Sequence, residues 1–128
     1  MDTKWKSILI IGIVLLLALA GENYSQQKQH VTVEQMSSFN EVVPNSKREI
    51  TQSSDARMIQ RAVRTAKKLP GVVDVADPYY KVTIGENEYY LWLHEGEELG
   101  SMMKVTNTNN LYRLRSPEKL LAIFNTLD

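Results

Sequence analysis

The chain has 128 residues, room for one small domain and little more. Its 15 basic and 15 acidic side chains cancel to a net charge of zero, so it lacks the basic excess of a nonspecific nucleic-acid binder. It has no cysteine, which excludes disulfides, thiolate-bound zinc, iron–sulfur clusters and a thiol nucleophile.

Lys4 and Lys6 precede an apolar run over 8–20 that only Gly12 interrupts. A spanning helix needs about 20 apolar residues. A secretory signal needs an apolar core of about 7–15 after a positive start. The run fits the second length, and Ala18-Leu19-Ala20 supplies a small-x-small cleavage pattern. Residues 1–20 are therefore expected to be a signal peptide, or a signal anchor if uncleaved. Either places the remainder outside the cytoplasm, secreted or held at the cell envelope. Leu19-Ala20-Gly21 also matches the start of a bacterial lipobox, whose next residue is the lipid-bearing cysteine. Glu22 stands there, and a carboxylate cannot form the thioether. Residues 21–128 keep 13 basic and 14 acidic side chains, a charge of −1.

Residues 21–46 read as a polar tether carrying a weak strand at Val31-Thr32-Val33, and 47–128 as the single domain. Lys47–Gln52 has further weak strand character. The first helix is expected to begin at Ser54, with Ser53 or Ser54 able to cap it and Asp55 in its first turn. Ile59, Ala62, Val63, Ala66 and Leu69 form an apolar stripe, and Pro70-Gly71 ends the helix. Tyr79–Ile84 and Tyr89–His94 read as a hairpin around a Glu86-Asn87 turn, pairing Val82 with Leu91 and Lys81 with Trp92. A second hairpin around Thr108-Asn109 pairs Val105 with Tyr112 and Lys104 with Arg113. Ser116-Pro117-Glu118 starts a second helix with Leu120, Ile123, Phe124 and Leu127 on its apolar side. The expected fold is α+β: a small antiparallel meander sheet of four to six strands with two helices packed on one face.

Catalytic constellations are sparse. His94-Glu95-Gly96-Glu97-Glu98 lacks the second histidine of a zinc-protease motif, and spaced carboxylates in a glycine loop are usually only solvated. Asp74 and Asp77 can pair for acid–base work, but Asp77-Pro78 reads better as a turn. No metal, cofactor or catalytic residue is assigned. One face of the hairpins is the stronger candidate for ligand binding. It is expected to carry Tyr79, Lys81, Tyr90, Trp92 and His94 together with Lys104, Arg113 and Arg115. Aromatics between cations stack on sugar rings or clamp anions, and Lys81 beside Trp92 suits a cation–π pair. The alternative is that residues 31–52 cover Trp92 and Tyr90. Arg57, Arg61, Arg64 and Lys68 form a cationic helix stripe suited to an anionic polymer or lipid surface, although any surface helix has a charged side.

The run Lys-Lys-Leu-Pro-Gly-Val-Val-Asp-Val-Ala-Asp-Pro-Tyr-Tyr-Lys-Val at 67–82, with Tyr-Tyr-Leu-Trp-Leu at 89–93 and Asn-Leu-Tyr-Arg-Leu at 110–114, resembles the YhfM-like domain of bacterial envelope lipoproteins. The resemblance covers about 47–128 and implies an exported, envelope-attached domain of unassigned activity. It carries no catalytic set, and Glu22 departs from its lipid-anchoring pattern. The expected function is a non-enzymatic binding or interaction domain at the envelope. Its partner would be an envelope polymer or another envelope protein, with the membrane reached through an uncleaved leader. An inhibitor or regulator acting through 94–100, and a hydrolase using Asp74, Asp77 or the Glu95–Glu98 cluster, are the alternatives.

Overall fold

A computed structural model describes residues 30–71, 74–96 and 99–127. The leader, Glu22 and the rest of the tether to residue 29 lie outside the described residues, as do Glu97 and Glu98. The elements run β1 (Val31–Ser38), β2 (Glu41–Val42), β3 (Arg48–Glu49), α1 (Ser53–Arg64), β4 (Lys67–Lys68), β5 (Tyr80–Ile84), β6 (Asn87–Trp92), β7 (Ser101–Lys104), β8 (Asn107–Arg113) and α2 (Pro117–Asn125). One antiparallel sheet orders them β2-β1-β5-β6-β7-β8-β4, with β3 also pairing β1. The α+β meander with two helices is therefore the fold. The sheet has eight strands rather than four to six because β2, β3 and β4 are two residues long, too short to show a period.

The tether expected over 21–46 gives way to sheet at Val31. Val31 and Val33 are buried opposite Ile84 and Val82, so β1 belongs to the folded unit. Alternation carries this: Val31, Val33 and Gln35 face one way, Thr32 and Glu34 the other. β1 then reverses at Phe39-Asn40 into β2.

α1 buries Ala56, Ile59 and Ala62, the spacing of one helical face. Its N-cap is Gln52 with no side-chain cap bond, so Ser53 and Ser54 lie inside the first turn rather than capping it. The helix stops at Arg64, short of Leu69. Thr65 Oγ1 donates to the Arg61 carbonyl at 2.7 Å, and Leu69 N–H then donates to Leu111 O at 2.9 Å, drawing Lys67-Lys68 onto the sheet edge. α1 thus starts beside β3 and ends at β4, crossing the sheet face. α2 begins with Pro117 at its first turn. Ser116 is its N-cap but in a left-handed conformation, with no side-chain cap bond. Leu120, Ile123 and Phe124 complete one core with Ile59, Val82, Leu91 and Met102. Burying each such side chain contributes about 1.5–3 kcal/mol.

Both hairpins shift register from the sequence reading. The first turns at Gly85-Glu86, with Gly85 at φ +60°, which glycine takes without strain. Val82 therefore faces Tyr89, and Lys81 faces Tyr90. The shift is two residues, so each side chain stays on its expected face. The second turns at Val105-Thr106, and an irregularity between Met102 and Lys104 absorbs the Asn-rich run. Met102 now faces Tyr112, and Ser101 faces Arg113. This shift is not even, so the expected faces of β7 and β8 no longer hold together.

Candidate functional site

The helices leave one end of their sheet face uncovered. An open cleft of about 780 Å³ lies there, between the C-terminal half of α1 and the β5–β6 turn. Val63 and Ala66 from α1 and its exit line one side, and Ile84 lines the other. Met102, Tyr89 and Tyr112 line it from the sheet. Tyr89 stands opposite Lys104, and Tyr112 opposite Met102, so the pleat points all four at the helix side. Burial raises the Tyr89 phenol above its ordinary value of 10.0. Arg64 and Lys104 also line the cleft. The carboxylate of Glu86 belongs to the same lining, but the ion pairs closer than 4.0 Å among the described residues lie elsewhere, at His30 and Lys81.

The opposite sheet face is where the aromatic–cationic site was expected, and much of it is covered. The Phe39 ring sits 5.3 Å from that of Tyr90, edge-on, and 5.9 Å from that of Trp92. Tyr90 Oη donates to the Phe39 carbonyl at 3.1 Å. Trp92 Nε1 donates to the Ala76 carbonyl at 2.9 Å. Trp92 keeps 9% of its surface, and Met103 1%. Cover from 31–52 is thus observed at Phe39, and the 74–79 segment adds to it. Lys81 makes no pair with Trp92, because the register puts Tyr90 opposite it. Its ammonium lies 3.4 Å from Glu88 and 3.7 Å from Glu34 instead.

The remaining candidates disperse. Tyr79 and His94 are exposed and stack at 5.2 Å, with His94 Nδ1 2.8 Å from the Glu95 carbonyl oxygen. Lys104 lies on the helix-side face, away from them. Arg113 is exposed on the face of Trp92, opposite Lys67, and Arg115 is exposed just beyond β8. Of the stripe, Arg57, Arg61 and Arg64 stay on α1, while Lys68 leaves it for β4 opposite Tyr112. Asp74 and Asp77 are exposed, and Glu95 accepts a bond from Asn125 Nδ2 at 3.2 Å. Sequence reading missed Tyr89 and Tyr112 as site residues. Their signal was present: bulky phenols on the core side of strands leave a hydroxyl that must reach a polar space.

Arg64 and Lys104 came from two separate candidate surfaces, yet the fold brings them to one cleft. No curated protein and no solved structure shows significant similarity to the chain. A family model described as YhfM protein matches residues 25–127. The match takes in β1 along with the helix, the meander and the final helix. The fold that builds the cleft is thus spanned from end to end by one family pattern, and the chain belongs to the YhfM protein family.

Proposed function

We propose that this domain is a non-enzymatic, exported binding module of the bacterial cell envelope that holds an anionic ligand in the cleft beside α1. The observation that carries the reading is the meeting of two phenol rings and two cations in one open cleft, where the cations outnumber the single carboxylate of Glu86 and neither is held in a close ion pair. Tyr89 and Tyr112 offer flat apolar faces with polar tips, and Arg64 and Lys104 offer charge. Such a set suits a ligand with an apolar or ring-like body and a carboxylate or phosphate. The export half of the reading is supported by Lys4, Lys6, the apolar run over 8–20 and the Ala18-Leu19-Ala20 pattern.

Co-sedimentation of the purified full chain with isolated bacterial envelopes tests the site. Tyr112→Ala with Lys104→Ala alters the cleft without touching a fully buried side chain. Binding by wild type and loss by the double variant is the expected result. Equal sedimentation of both overturns the assignment to the cleft.

A further inference from the structure

The neutral total hides a segregation of charge. No Asp or Glu occurs between Asp55 and Asp74, or between Glu98 and Glu118. The first window carries five basic residues and the second three. The fold brings these windows together, since α1 ends at β4 and the sheet closes β7-β8-β4. Arg57, Arg61 and Arg64 are exposed along α1. Lys67 and Lys68 are exposed on β4, on opposite faces of the sheet. Lys104, Arg113 and Arg115 are exposed on or just past the two neighbouring strands. The ion pairs among the described residues belong to the other half of the molecule, at Lys81 and His30.

One pairing is costly in the free protein. Lys67 stands directly opposite Arg113 in the ladder. Like charges facing across an antiparallel pair destabilise it. No acidic residue occurs in β4, β7 or β8 to offset them. An oxyanion bound from outside would.

We infer that the β7-β8-β4 edge and the outer side of α1 form one docking surface for a flexible linear polyanion carrying regularly spaced phosphates. The inference goes beyond the cleft, because Arg57, Arg61, Lys67 and Arg113 lie outside it. A linear polymer fits better than a bilayer for two reasons. The cations wrap both faces of a sheet edge, which a flat surface cannot reach together. The exposed large apolar side chains among the described residues are Met58, Tyr79 and Leu99, on three separate segments, so they form no patch to enter lipid. Five of the eight cations are arginines, whose planar fork suits phosphate oxygens.

The test titrates the full chain with long-chain inorganic polyphosphate, orthophosphate, and vesicles of phosphatidylglycerol or phosphatidylcholine over a salt series. Long polyphosphate should bind, orthophosphate should not, and affinity should fall linearly with salt on logarithmic axes. Two charge-neutralised variants, Arg57→Gln/Arg61→Gln and Lys67→Gln/Arg113→Gln, should each flatten the slope by roughly 1.4, the share of two phosphate contacts on a single strand. The second variant should melt no lower than wild type in the absence of ligand, since it removes the like-charge pair. No polyphosphate binding, or identical slopes in all three proteins, overturns the inference. So does binding to phosphatidylglycerol vesicles that only the α1 variant loses, which would make a bilayer the partner. If Tyr112→Ala/Lys104→Ala abolishes polyphosphate binding while both edge variants keep it, the surface fails and the cleft reading survives. If the edge variants lose polyphosphate but envelope binding ignores the cleft variant, the reverse holds.

Discussion

Replacing Trp92 with alanine separates a packing role from a ligand-holding one. The indole keeps 9% of its surface, lies 5.9 Å from the Phe39 ring and donates to the Ala76 carbonyl at 2.9 Å. Truncating a buried tryptophan to alanine costs about 3–5 kcal/mol through lost transfer energy and the cavity left behind. The hydrogen bond accounts for about 1 kcal/mol of this, because exposed Ala76 can return its carbonyl to water. A mid-range loss of about 4 kcal/mol lowers the melting temperature by roughly 16–32 °C in a domain of this size. Trp92→Phe keeps most of the ring contact and should fall by about 4–12 °C. Thermal circular dichroism and urea midpoints measure both, and in the parent chain carrying only Trp5→Phe the fluorescence of Trp92 reports its burial. An alanine variant melting within about 4 °C of wild type, the effect of a single kcal/mol, refutes the packing role and returns this face to ligand binding.

Gly100→Ala places a Cβ 2.7 Å from Pro117 Cβ and 2.8 Å from Leu93 Cδ2. The proline ring cannot yield, so a loss of about 1–3 kcal/mol is expected in urea denaturation, and an unchanged midpoint would contradict the close approach. Lys81→Met keeps the packed stem but leaves Glu34 and Glu88 without their shared cation. Stability should drop by about 1 kcal/mol at low salt and recover in part at high salt. Because burial raises the Tyr89 pKa, its stabilising share is full below the unfolded value of about 10 and is lost as pH rises through the folded value. Tyr89→Phe should therefore show a shallower alkaline loss of stability than wild type, and matching alkaline profiles would refute the raised value. Ser116 holds φ +52° without a cap bond, so Ser116→Gly should be neutral or stabilising by up to about 1 kcal/mol in thermal melts.

What sequence reading captured was periodic. The stripe Ile59–Ala66, the alternation through 80–84 and 89–93, and Leu120–Phe124 each repeat often enough to declare a face. What it missed lacked repetition or depended on parity. β4 is two lysines whose place is set by Leu69 donating to Leu111, a contact made far along the chain. The Asn-rich run at 107–110 offers good turn chemistry at Thr108-Asn109, yet burying Met102 and Met103 on opposite faces moves the turn to Val105-Thr106. That change carried Lys104 from one face to the other. The cleft draws on α1, the β5–β6 turn and four strands, so no local pattern could announce it. Phe39 as the lid over Tyr90 is likewise a tertiary fact, since nothing in its neighbours marks it as core.

The place of β1 in the sheet sets an order for the birth of the protein. Its neighbours are β5 on one side and the short β2 and β3 on the other. Val31 must wait for Ile84, and Val33 for Val82. A chain made or threaded from its N-terminus presents β1 first, while β5 still lies some way downstream and has yet to emerge. The meander β5 to β8 closes through local turns and can form early. The strand that emerges first is thus sealed in late, and until then its apolar side stays open to whatever machinery handles the chain.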